Sequence, residues 1–262
     1  MTLHALGAEL DRWSAQGQRA TLWWRDDDAG VASAALHRLL SLASAHGVPV
    51  ALAVIPANLH EDAVTSIAAY ARCAVLQHGV AHRNHAPEGE KRSELGAHRG
   101  VHAVTHDLVT ARGLLASAFP DQLLPVVVPP WNRIATEVVE ALPRFGYCGV
   151  STFGPRAGAP GIPGLVQCNT HVDPIAWRAD RSFVGEAKAA ADLAGHLAAR
   201  RERRVDATEP TGLLTHHLDF DDTAWQFVDR LLSMTLRHRA AEWIGAAAAF
   251  ASRSCPTSGR SA

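Results

Sequence analysis

The chain has 262 residues, 47% of them hydrophobic and 19% charged, with a formal net charge of −1. That balance suits one large soluble domain with a sizeable core, and it gives no electrostatic ground for binding nucleic acid or an anionic membrane. The four cysteines, Cys73, Cys148, Cys168 and Cys255, are far apart and form no CxxC pair, which predicts reduced thiols rather than a disulfide frame or a structural zinc.

The N-terminal stretch places Leu3, Leu6, Leu10 and Trp13 at helical spacing and has no basic region followed by an apolar one. It reads as an amphipathic helix and not a signal peptide, so a cytoplasmic location is expected. No apolar run is long enough to span a bilayer. Short apolar runs then alternate with helical patterns. Strands are predicted over 21–25, 48–54, 73–77, 124–128, 147–151, 164–168 and 212–216, and helices near 33–46, 60–71, 90–118, 135–143, 186–203 and 222–239. Most of the strands are continuous apolar runs, as expected of parallel strands covered on both faces. Seven strands alternating with helices predict a barrel or a doubly wound sheet. One domain is expected over 1–254, with a disordered tail at 255–262. The Gly/Pro-rich stretch 153–164 reads as a surface loop over the site.

Polar residues gather just after these strands, and in a parallel barrel such loops share one rim. The first strand, "TLWWR", runs into Asp26, Asp27 and Asp28. Three adjacent carboxylates repel one another, so the run is either a solvated turn or a place for a cation. "HGVAH" after the third strand sets His78 and His82 at i and i+4, which on a helical turn would share a face and could chelate one metal. A carboxylate from the first strand would complete a two-histidine, one-carboxylate set with open positions. The remaining candidates are weaker. His85 could be a surface histidine. His98, His102 and His106 fit an ordinary helix face. His171 and Asp173 either reach the rim or organise a turn before Pro174. Asp221 and Asp222 suit a helix cap. His217 competes with His216, and strand parity sends the two in opposite directions. "GVSTFG" is not a GxSxG nucleophile elbow.

These residues together resemble the polysaccharide deacetylase superfamily (NodB-homology, carbohydrate esterase 4-like), whose fold is a distorted (β/α)7 barrel. The resemblance rests on "WRDDDA", on "HGVAH", on "VPPWN" in place of an Arg-x-Pro-aromatic motif, and on "LTH", in that order along residues 25–216. It implies a single-domain distorted (β/α)7 barrel of α/β class. It implies Asp27 as general base, Asp28, His78 and His82 as ligands of one divalent metal, and His216 as general acid. Zinc is the default expectation, although nickel, cobalt and manganese suit the same ligands. Trp131, Pro130, Asn132 and Trp24 are candidates for contacting substrate or oxyanion, with Trp177 a further platform for a sugar ring. The chain departs from the pattern at Val128, where the motif has an arginine that steadies the base. Arg25 lies two residues before Asp27 and leaves the strand on the same face, so it is the expected replacement.

Three function classes stay open: a metal-dependent deacetylase acting on an N-acylated sugar or small amide, a non-catalytic carbohydrate-binding barrel, and a metal-dependent amide hydrolase with a non-sugar substrate. The expected partner is a small molecule or saccharide, with no nucleic acid and no membrane, and the oligomeric state is left open.

Overall fold

The computed structural model describes residues 3–156 and 161–251. The tail expected at 255–262 and the middle of the Gly/Pro-rich loop lie outside the described residues. Helix α1 (His4–Ala15) buries Leu6, Leu10 and Trp13, the apolar stripe anticipated from their spacing. Strand β1 (Ala20–Ala29) follows, then α2 (Ala34–His46), β2 (Val50–Val54), α3 (Glu61–Ala68) and β3 (Cys73–His78). The order continues with α4 (Val101–Ala118), β4 (Leu123–Val128), α5 (Thr136–Ala141), β5 (Gly149–Val150) and β6 (Val166–Gln167). It ends with α6 (Glu186–Arg201), β7 (Thr211–Thr215), α7 (Asp222–Arg237), β8 (Ala241–Trp243) and α8 (Ala246–Ala249).

All named strands run parallel, in the order β6-β5-β4-β3-β2-β1-β7, with β8 added against the start of β1. A single bridge between Val172 and Leu213 joins the segment after β6 back to β7. This curled seven-strand path, with helices outside it, is a distorted (β/α)7 barrel. Alternation along the strands sorts the side chains. Trp23, Ala51, Ala53, Leu76, Val126 and Val128 meet inside the barrel. Trp24, Leu52, Val54, Val75 and Leu213 face the opposite way, into the helix layer with Leu36, Leu39 and Leu231. The base of the barrel is filled by α8 and Phe250, whose ring stands edge-on to Trp23 at 5.7 Å. Gly149 leaves room for it, since a Cβ there would sit 2.6 Å from the Phe250 ring.

The elements depart from expectation in several places, α8 and the two-residue β5 and β6 among them. The first strand continues through the aspartates to Ala29 instead of ending before them. The helix expected over 90–118 begins only at Val101, because Gly100 adopts φ +73 and the preceding Glu94 is drawn inward to hold a loop. Pro143 limits α5 and turns the chain into a 3-10 segment, Leu142–Phe145. Strand β8 was not anticipated; its three residues are too few to show a period. The caps follow local chemistry. Ser33 accepts from Leu36 N–H at 3.0 Å and Asp221 from Ala224 N–H at 2.7 Å. No described helix is long and apolar enough to cross a membrane.

Candidate active site

Strand parity alone would put Asp27 inside the barrel and send Asp28 outward. The chain avoids this with an irregularity in the β1–β2 register between Asp26 and Ala29, and Asp28 takes a left-handed φ of 69°. A bulge of this kind re-aims a side chain at a strand end. Asp27 and Asp28 therefore line the same cavity of about 1110 Å³ at the C-terminal ends of the strands. Asp26 keeps the outward direction. It is fully buried and accepts from Thr215 Oγ1 at 2.5 Å, and it pairs with His217 Nδ1 at 2.6 Å. Burial opposes the charged form of His217, but the carboxylate of Asp26 wins and raises the imidazole above its ordinary value. The histidine pair thus divides by parity, His217 to Asp26 and His216 to the cavity.

Arg25 is completely buried and forks onto Asp27, with Nε donating to Oδ1 at 2.8 Å and Nη2 to Oδ2 at 2.9 Å. Its other donors reach Ser151 Oγ at 2.7 Å, Thr152 O at 3.3 Å and Asn132 Oδ1 at 3.1 Å. The five N–H groups of the guanidinium are all used, which is what a buried arginine requires. Val128, where an arginine stands in the resembled motif, is buried among the apolar residues of the barrel interior.

His78 ends β3 and His82 lies in the loop beyond it, so the pair does not share a helical turn as expected. A tight turn does the work instead. Gly79 has φ +57, and a Cβ there would meet Glu94 Oε2 at 2.0 Å and Pro130 at 2.7 Å. Glu94, itself buried, accepts from the backbone N–H groups of Val80 (3.0 Å), Ala81 (2.8 Å) and Arg83 (3.1 Å). This holds His82 at a left-handed φ of 54°. His78 Nδ1 donates to Val128 O at 2.9 Å, which leaves Nε2 as the acceptor facing the cavity. His78 Nε2 and His82 Nε2 lie 3.2 and 3.5 Å from one atom, Asp28 Oδ1. That buried oxygen has no aligned hydrogen-bond donor. Burial would raise the Asp28 carboxyl, but the neighbouring imidazoles, His78 first, hold it well below the usual carboxylate range. Burial pushes the His82 imidazole down.

Ligand atoms of Asp28, His78 and His82 all lie within 4.8 Å of one another, the one such group of three among the described residues. Ligands about 2.0–2.1 Å from a zinc-sized ion at tetrahedral angles stand about 3.3 Å apart. The spacing, the orphaned Asp28 oxygen and the Nε2 of His78, turned toward that oxygen by the Nδ1 bond to Val128 O, all fit a divalent cation.

Across the cavity, His216 meets the edge of Trp177 at 4.6 Å. Its Nδ1 is buried without a hydrogen-bond partner and lies 4.0 Å from Asp173 Oδ2. Asp173 also accepts from Trp177 Nε1 at 2.6 Å and from Ile175 N–H at 3.1 Å, so it serves both the rim and the turn. Burial raises its carboxyl above the ordinary value. Trp131 and Asn132 line the cavity, the former 4.3 Å ring to ring from His82. Two expected contacts are not there. Trp24 is 1% exposed, faces the helix layer and donates to Thr215 Oγ1, because its parity is opposite to that of Arg25 and Asp27. Pro130 is buried against Gly79 and does not line the cavity. His85 and the His102–His106 pair lie away from it. The site's main unforeseen member is Glu94, hidden in a stretch that reads as helix.

Neither a family model nor a curated protein matches the sequence. Solved structures do. A Mycobacterium smegmatis protein assigned as a polysaccharide deacetylase superposes with a TM-score of 0.67 at 15% identity, over 89% of this chain and 90% of its own. A peptidoglycan N-acetylglucosamine deacetylase matches with a TM-score of 0.57 at 12% identity, over 91% and 95%. A family 4 acetyl xylan esterase from Clostridium thermocellum, in complex with a cobalt ion, matches at 0.53 and 10%, over 88% and 90%. The chain thus has the fold of polysaccharide deacetylases and family 4 carbohydrate esterases across nearly its whole length.

Proposed function

We propose that the protein is a metal-dependent deacetylase that hydrolyses a linear amide, removing an acetyl group from an N-acylated sugar. The observation that carries this is one cavity holding a metal-ligand set, an arginine-clamped carboxylate and an opposed histidine. Asp28, His78 and His82 would hold the ion. Zinc is the first choice, with nickel, cobalt and manganese compatible. When bound, such an ion supplies Lewis acidity for a carbonyl and lowers the pKa of water.

The protein's own groups supply the rest. Asp27, fixed in direction by the two-pronged hydrogen bond from Arg25, takes the proton from the attacking water. His216 gives a proton to the departing amine nitrogen, with Asp173 behind it to orient the ring. The backbone N–H of Trp131 donates to the developing oxyanion, and Trp131 and Trp177 offer faces to a sugar. The neighbours include both amide deacetylases and acetyl esterases, so the choice of an amide belongs to this proposal, as does a cytoplasmic site of action, which the buried free thiols of Cys73 and Cys168 support. A non-catalytic binding barrel is disfavoured because Arg25 supplies the cation that Val128 does not.

The test combines metal analysis with amine release from N-acetyl sugars and small N-acyl compounds. His78→Ala and His82→Ala should each drop metal content well below one per chain. Asp27→Asn and His216→Ala should retain metal and lose about 10²–10⁴-fold in turnover. Full metal occupancy in both histidine variants, or unchanged turnover in His216→Ala, would sink the assignment.

A further inference from the structure

The chain as a whole is nearly neutral, with 25 lysines and arginines against 26 aspartates and glutamates. The wall of the cavity is not. Arg92, Arg133, Arg178, Arg181 and Lys188 all line it. Two of them are neutralised: Arg181 pairs with Asp219 at 2.8 Å and Lys188 with Asp192 at 2.7 Å. The other three are not. Arg133 donates to the carbonyl of Arg92 at 2.8 Å, a contact that orders it without cancelling its charge. Arg92 and Arg178 form no ion pair with any described residue.

The carboxylates that line the cavity, Asp27, Asp28 and Asp173, are each committed elsewhere: to Arg25, to the two imidazoles, and to Trp177. A metal at Asp28 would make the cavity more positive still. The unpaired cations flank the two aromatic plates. Arg133 is two residues beyond Trp131, which packs on His82; Arg178 follows Trp177, which packs on His216. A ligand with its acyl amide between His82 and His216 would thus present its remaining substituents to guanidinium groups. The cavity exceeds the roughly 300–1,000 Å³ usual for small-molecule sites, so there is room for such substituents. Guanidinium forks bind phosphate and carboxylate oxygens in pairs.

Resting on the deacetylase reading above, we infer that the substrate is an anionic N-acyl amino sugar, its phosphate or carboxylate held by Arg92, Arg133 and Arg178.

The experiment is titration calorimetry on the metal-loaded full chain with N-acetylglucosamine, N-acetylglucosamine 1-phosphate and N-acetylmuramic acid, with amine release followed in parallel. At least one anionic sugar should bind roughly 10–100-fold more tightly than the neutral one, the scale of charge-assisted hydrogen bonds. The phosphate and carboxylate arms tell which oxyanion is preferred. The advantage should shrink in 0.5 M salt and disappear in the Arg92→Gln, Arg133→Gln, Arg178→Gln triple variant, with metal content and melting temperature unchanged. Equal affinity for charged and neutral sugars, or no binding of any, overturns the inference. So does a charge preference that survives in the triple variant, since it would then come from the metal. Amine release from neutral sugars without preference overturns the inference alone. Selective anion binding with no amine release from any N-acyl compound leaves the anion site standing and removes the deacetylase reading.

Discussion

On one side of the cavity Asp27 is gripped by both prongs of Arg25, His78 is tied to Val128 O, and Glu94 gathers three N–H groups of the loop that carries His82. On the other side His216 meets Asp173 only at 4.0 Å, with Nδ1 unsatisfied, and leans on Trp177, which is 40% exposed. The first side rests on strand ends and a buried carboxylate. The second joins His216, just past the end of β7, to Asp173 and Trp177 on the irregular segment after β6, which meets β7 at a single bridge. A metal and a base must be in position before substrate arrives, and rigid support suits them. An acid acts on the leaving group, and catalytic hydrogen bonds can tighten when the complex forms.

The difference between the two sides can be broken by substitution. The largest effect is expected at Arg25. Arg25→Met leaves Asp27 buried without a counter-ion and should cost about 3–5 kcal/mol of stability, read from urea unfolding. Arg25→Lys keeps a charge but not the fork, and should fold with metal bound while losing turnover. A smaller effect is expected at Glu94. Glu94→Gln cannot serve three donors as well, and metal affinity should weaken about 10–100-fold in competition with a chromophoric chelator. An unchanged affinity would mean that the loop holds itself.

The smallest effect belongs to the loosely held side. Asp173→Asn should slow turnover by less than the about 10² expected for removing an acid itself, and its effect on stability has the opposite sign. The Asp173 carboxyl is raised in the folded protein because burial disfavours its charge. Its stability contribution is therefore present below the ordinary aspartate value of 3.8 and is lost as pH rises through the raised one. In chelated protein the asparagine variant should gain on the wild type as pH rises from 3 to 7. A variant that is less stable at pH 7 would show that Asp173 is ionised and well paired.

Much of this could be read from the chain. The apolar runs placed seven of the eight strands, and the i, i+2 spacing of Arg25 and Asp27 put both on one strand face. The same parity rule, applied one residue earlier, already turns Trp24 away from the cavity; the expectation that it contacts substrate neglected this. Asp28 was harder. Its inward direction depends on a local irregularity that no alternation pattern encodes. Glu94 was out of reach, because a carboxylate twelve residues past His82 in a helical-looking stretch carries no local mark. The unpaired arginines come from three separate segments, and only folding brings them to one cavity.

The filled base of the barrel has a bearing on how the chain can be shortened or extended. Phe250 stands against Trp23, which sits two residues before Arg25 on the same inward face. Removing residues 246–250 would open the barrel from below and let water approach the Arg25–Asp27 pair, weakening an attraction that depends on a low local dielectric. A tag joined beyond residue 251 leaves that seal in place, whereas a deletion reaching Ala246 acts on the Arg25–Asp27 pair from the far end of the sequence without touching it.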